Sequence, residues 1–123
     1  MYKRHKTGRI GEDIATRYLE QIGYEIIDRN FECRQGEIDI IARDEEYLVF
    51  IEVKTRASSL YGQPKEAVDQ TKKKHIYCSA EFYVHLKHLE GKPSRIDVIE
   101  ILKRQGKFQV HHIKNAITEK PMP

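Results

Sequence analysis

Asp39, Glu52 and Lys54 are ionisable side chains set in apolar surroundings, and their spacing lets them meet. In Tyr47-Leu48-Val49-Phe50-Ile51-Glu52-Val53-Lys54, one face of an extended chain carries Leu48, Phe50, Glu52 and Lys54. The other face carries Val49, Ile51 and Val53. A strand apolar on both sides belongs in the middle of a covered sheet, where charge has no structural use. Residues 37–43 make the preceding strand, alternating around Asp39 and then turning continuously apolar. A two-residue turn at Glu45-Glu46 pairs Asp44 with Tyr47, Ala42 with Val49 and Asp39 with Glu52. A four-residue loop keeps that pairing, whereas an odd-length loop shifts it by one. In the even register the two carboxylates share a face, with Cβ atoms about 4.5–5.5 Å apart.

Like charges that close in a mostly buried sheet repel, so something must offset them. A divalent cation does so, and hard carboxylate oxygens suit Mg2+ or Mn2+. Lys54 leaves the same face about 6.6 Å beyond Glu52. An ammonium there can orient an attacking water and stabilise charge building on a phosphate. Metal, positioned water and electrostatic clamp are what hydrolysis of a phosphodiester requires. Glu-x-Lys is also a common strand pattern, and a Glu52–Lys54 ion pair at a sheet edge would be purely structural. Glu12 adds a further acid, about 20° from Leu19 on a helical wheel. It either reaches over the sheet to the metal site or is an acid favoured in a first helical turn by the helix dipole.

These residues need elements to hold them. Residues 7–22 carry Ile10, Ile14, Ala15, Tyr18, Leu19 and Ile22 at helical spacing, with Gly23 as a stop. Residues 24–31 read as a strand, with Asn30 and Arg34-Gln35-Gly36 as breakers. Three successive strands with short connections, over 24–31, 37–43 and 47–55, predict an antiparallel meander. Residues 56–64 form a polar loop containing Gly62 and Pro64. A long helix over 65–89 should carry Val68, His75, Ser79, Phe82, Leu86 and Leu89 on one stripe, which makes His75 a core histidine. Strands over 95–102 and 108–113 flank a turn at Arg104-Gln105-Gly106. The order α-β-β-β-α-β-β describes an α/β protein, one central sheet with helices packed on it.

The chain of 123 residues suits one domain, with residues 1–6 and 115–123 expected to be flexible. Hydrophobic residues at 39% and charged ones at 33% exclude a disordered chain and predict a core under a charged surface. A net charge of +3 says little about partners. Basic clusters at residues 3–9, 72–74 and 103–107 are either solvated faces or nucleic-acid contacts. Cys33 and Cys78 cannot make a disulfide framework or a four-cysteine zinc site, and each reads as a small buried hydrophobe. Residues 3–9 are basic with no apolar segment behind them, and no apolar run approaches the roughly eighteen residues that span a membrane. Neither a signal peptide nor a membrane segment is expected, and a cytoplasmic location is the default. His111 and His112 alternate on the last strand without the spacing of a metal site.

Several motifs in fixed order carry a family resemblance. They are Gly11-Glu12-x-x-Ala15, Arg29-Asn30-Phe31, Gly36-Glu37-Ile38-Asp39-Ile40-Ile41-Ala42 and Val49-Phe50-Ile51-Glu52-Val53-Lys54-Thr55-Arg56. Together they resemble the YraN-like family of uncharacterised bacterial proteins, a branch of the PD-(D/E)xK nuclease superfamily near the archaeal Holliday-junction resolvases. The resemblance extends through Gly62, the second helix and Arg95-Ile96-Asp97-Val98. It implies a restriction-endonuclease-like core with one mixed sheet. By the same resemblance the superfamily's core aspartate matches Asp39, its acid-x-lysine matches Glu52 and Lys54, and the helical glutamate of resolvase-like members matches Glu12. Ile38 stands where the superfamily often has proline. Glu37 would sit near Lys54, as a supporting partner or a plain ion pair. Gln70, Lys72 and Lys73 lie where related nucleases place polar residues near the scissile phosphate, and Arg56, just past the acidic strand, is the stronger candidate for a phosphate contact. The implied function is a Mg2+- or Mn2+-dependent endonuclease acting on DNA, branched DNA included, with a homodimer allowed. The alternatives are a nucleic-acid-binding or scaffold protein on a nuclease fold that no longer cuts, or a structural protein whose basic clusters meet an acidic partner.

Overall fold

The computed structural model describes residues 6–56 and 70–118. In chain order the elements are α1 Lys6–Gln21, β1 Glu25–Cys33, β2 Gly36–Asp44, β3 Tyr47–Arg56, α2 Gln70–Leu86, β4 Ser94–Arg104 and β5 Lys107–Ile113. The strands form one sheet in the order β1-β2-β3-β4-β5. β1, β2 and β3 make the expected antiparallel meander, β3 and β4 pair in parallel, and β5 returns antiparallel along β4. A parallel neighbour requires a crossover, and α2 lies in the connection that makes it. This is the expected α/β class: one mixed central sheet flanked by helices, in the order α-β-β-β-α-β-β.

Each face of the sheet buries one helix. On one side Ala15 and Leu19 of α1 pack on Ile40, Ala42, Val49, Ile51, Ile99 and Ile101. On the other, Ile76, Ala80 and Tyr83 of α2 pack on Ile38, Ile41, Leu48, Phe50 and Ile96. Strands covered on both sides explain why β3 reads as a continuous apolar run.

Several expectations need correction. Ile10 and Ile22 are exposed, because α1 buries the narrower row Gly11, Ala15 and Leu19. Asn30 does not end β1; the strand runs through it to Cys33, with Asn30 held at a φ of 56°. The loop over 57–64 and the expected start of the second helix, with Val68, lie outside the described residues. The buried stripe of α2 is Ile76, Ser79, Ala80 and Tyr83, so His75 is exposed rather than a core histidine, and Phe82 and Leu86 sit at the margin. The helix also ends before Leu89. His88 adopts a φ of 57°, and the bonds from Leu89 N–H to Val84 O and from His88 N–H to His85 O close the last turn. Residues 115–118, expected to be flexible, pack instead: Ala116 N–H donates to Ile96 O, and Ile117 joins the α2-side core. Cys33 and Cys78 are only half-buried.

Candidate active site

β2 and β3 leave their hairpin in the even register. The ladder runs from Asp44 opposite Tyr47, through Ala42 opposite Val49, to Ile40 opposite Ile51. The next rung would set Asp39 against Glu52, and there backbone pairing stops. The Val53 N–H donates to Asp39 Oδ2 at 2.8 Å, so a carboxylate takes the place of a ladder carbonyl. Face alternation slips at the same point, because Ile38 packs on the α2 side and Ile40 on the α1 side. Asp39 therefore sits at the seam between the two faces. It is 4% exposed and Glu52 is 5% exposed, so neither carboxylate has much water around it.

Two ammoniums meet Glu52 from the α2 side. Lys72 Nζ lies 3.2 Å and Lys54 Nζ 3.5 Å from Glu52 Oε2. Burial, and then the neighbouring Asp39 carboxylate, push Glu52 up to about 7, although Lys72 and Lys54 pull the other way. Lys72 is held protonated more firmly than a free lysine: burial disfavours its charge, but Glu52, then Asp39 and Glu37, outweigh it. Glu37, expected beside Lys54, thus acts on Lys72.

The other sequence-derived residues divide. Arg56 follows Lys54 on the same strand, with its Nε 3.9 Å from Glu100 Oε2. Lys72 belongs to the acid cluster, whereas Gln70, at the start of the described helix, lines a neighbouring groove, and Lys73 is not brought into the cluster. Glu12 is buried from the opposite, α1 side, with its Oε1 3.6 Å from Arg29 Nη2. Beside it α1 rides close on β3: a Cβ added to Gly11 would collide with the Thr55 hydroxyl.

Glu100 escaped the sequence reading. It pairs in register with Lys54 across the parallel β3–β4 ladder and is fully buried. His111 Nδ1 is 3.2 Å from its Oε1. The signal was present, since an acid between Ile99 and Ile101 in an apolar strand is the same anomaly that marks Glu52. A second buried acid, Asp97, anchors a network on the α1 side. It receives His112 Nε2 at 2.7 Å, Arg95 Nε at 3.1 Å and the Asn115 N–H at 2.9 Å, while His112 Nδ1 is 2.9 Å from the Tyr18 hydroxyl. Burial alone would raise the Asp97 pKa, but hydrogen bonds from His112, Asn115 and Arg95 leave it lowered. This network ties α1, β4, β5 and the segment after β5 together.

Fold and site together define a mixed α/β protein with an acid–lysine cluster buried at the rim where two antiparallel strands part. Among the described residues, no group of three or more His, Cys, Asp and Glu side chains is placed to hold a metal ion, and no helix is long and apolar enough to cross a membrane. The chain belongs to the uncharacterised protein family UPF0102, whose family model matches residues 11–101. A UPF0102 protein of Dehalococcoides mccartyi is 45% identical over 118 residues, covering 96% of this chain and 98% of that one. One from Clostridium kluyveri is 52% identical over 95 residues, covering 77% of this chain and 78% of that one. Among solved structures, a repair endonuclease from Pyrococcus abyssi aligns over 86% of this chain at 19% identity and a TM-score of 0.42. The chain spans 42% of that protein, and a likeness of this extent carries no functional argument.

Proposed function

We propose that the chain is a Mg2+- or Mn2+-dependent endonuclease that hydrolyses nucleic-acid phosphodiesters, with DNA as the substrate. The observation that carries this reading is the convergence of buried Asp39 and Glu52 with two ammoniums at the sheet rim. Two carboxylates on adjacent strands fit a hard cation, and Mg2+ keeps several waters of its own, so two protein ligands suffice. Asp39 and Glu52 would hold the ion, which would supply charge to offset the acid pair and the scissile phosphate. Lys54 orients the attacking water and donates to a phosphate oxygen; Arg56 holds a neighbouring phosphate; Glu12 supports the cluster from the other face. Water oxygen bonds to phosphorus and its proton passes to solvent, while the ester P–O bond breaks and the leaving alkoxide takes a proton from solvent to become the free hydroxyl.

Asp39→Ala and Lys54→Ala should each abolish metal-dependent cleavage of a panel of linear, nicked, flapped and four-way DNA while the circular dichroism spectrum is unchanged. Full activity in either purified variant refutes the mechanism. One observation favours a second reading, a non-catalytic nucleic-acid-binding or scaffold protein: Lys72 and Lys54 both lie within ion-pair distance of Glu52, where a cation would otherwise be its partner. Calorimetry separates the two, since a scaffold would bind no Mn2+ at millimolar concentration.

A further inference from the structure

The turn between β1 and β2 and the flank of α2 enclose a groove of about 500 Å³ lined by Arg34, Gln35, Gln70, Thr71, Lys74, His75 and Cys78. No carboxylate lines it, in a chain with 19 acidic residues. The lining is two cations, an imidazole, two amides, a hydroxyl and a thiol, with no aliphatic or aromatic wall. Such a surface offers cationic and neutral donor groups to repeated anionic oxygens. Among the described residues, neither Arg34 nor Lys74 is in an ion pair, so both charges remain available. Elsewhere comparable arginines are engaged: Arg29 with Asp13, Arg43 with Glu25 and Arg95 with Asp97.

The groove's walls approach each other closely, next to the acid cluster. A Cβ built on Gly36 would lie 3.1 Å from Ser79 Oγ and 3.2 Å from His75 Cβ, so a side chain there would have to push the helix back by a few tenths of an ångström, and the φ of 152° also favours glycine. β2 starts at that turn and carries Asp39, while α2 carries Lys72, which reaches Glu52. Turn, helix start and acid cluster thus share one end of the sheet.

We infer that this groove binds the sugar–phosphate backbone of a nucleic acid, with Arg34 and Lys74 as the phosphate contacts and Gln35, Gln70 and Thr71 as neutral donors. It would track the strand leading to the acid cluster, and in that respect it deepens the nuclease reading. The binding itself requires no chemistry, which lets the two ideas fail separately.

The test is fluorescence anisotropy of the full chain with a labelled DNA duplex in EDTA, over a range of salt concentrations. Arg34→Ala/Lys74→Ala should bind about tenfold or more weakly, and the log–log salt slope should shrink by about 0.9 for each phosphate that the variant no longer neutralises. Lys87→Ala/Lys92→Ala, removing two exposed charges near the far end of α2, controls for net charge and should bind like wild type. Arg34→Lys/Lys74→Arg keeps both charges and should bind within about threefold of wild type. As a check that needs no variant, bound duplex should protect Cys78 from a maleimide reagent. Equal affinity and slope in Arg34→Ala/Lys74→Ala and wild type overturn the inference, as does an equal loss in the control. If binding depends on Arg34 and Lys74 but the wild type cuts nothing, the groove stands and the nuclease reading falls; the reverse pattern sinks only the groove.

Discussion

Replacing Glu52 with glutamine should stabilise the metal-free protein, and only above a particular pH. Moving a carboxyl from 4.5 to about 7 corresponds to about 3 kcal/mol between its protonated and ionised forms. The group is 5% exposed, so solvent screening removes little of this. The figure is already net of the attraction from Lys72 and Lys54. Unfolded, Glu52 ionises near 4.5; folded, it ionises near 7. The folded state therefore binds more protons between those values, and stability falls as pH rises through that window. Below it the carboxyl is neutral in both states and costs nothing. Above it the full cost of about 3 kcal/mol is present, and Glu52→Gln removes it. The two lysines can turn to water once their partner is gone, since their side chains are partly exposed. Urea titrations in EDTA at pH 8 should then show Glu52→Gln more stable by about 3 kcal/mol, or roughly 10 °C in Tm, with the gap closing toward pH 4. Mn2+ at pH 8 should raise the wild-type midpoint and leave the variant's unchanged. A variant no more stable than wild type at pH 8, or a gap that does not change with pH, would refute the reasoning.

Four further outcomes follow from the packing. Asp97→Ala leaves Arg95 and His112 without their buried partner and should cost about 3–5 kcal/mol in denaturant titration. Because the Asp97 pKa is lowered on folding from 3.8, its contribution is present above about 4 and is lost as pH falls through its folded value; acid unfolding of Asp97→Asn should be correspondingly less steep. Ile76→Ala should cost about 2–4 kcal/mol and His75→Ala within about 0.5 kcal/mol, a contrast that would reverse if His75 faced the core. Gly11→Ala should lower stability by about 1–3 kcal/mol through its clash with Thr55, and Thr55→Ala in the same chain should recover most of the loss.

Local pattern carried a good deal of this protein. Apolar residues on both faces of 48–53 announced a buried central strand, and the carboxylate in its midst announced the site. The two-residue turn at Glu45-Glu46 set the register as far as Ile40 opposite Ile51, one rung short of the expected Asp39–Glu52 pair, since a hairpin's pairing follows from its loop length. Those inferences need only neighbours in sequence. What depended on distant neighbours was not legible. α2 has two overlapping stripes that share Ser79, one continuing through His75, Phe82 and Leu86, the other through Ile76, Ala80 and Tyr83. Helical periodicity does not separate them, and only the shape of the sheet face, filled by Phe50 and Ile38, chose the second.

The same holds around the acids. Lys72 reaches Glu52 because the crossover brings α2 onto that face, and no spacing rule gives that pairing. Glu100 meets Lys54 through a parallel ladder, whose register is set by packing and not by a turn. Asp97 finds His112 and Asn115 across β4–β5 and the segment after it, which turned an expected loose end into part of the core. Sequence by itself determined which groups must be buried, because charge in an apolar strand is costly wherever the strand lies. Tertiary structure decided which cations and donors compensate each one, because those partners come from elements that meet only in the folded sheet.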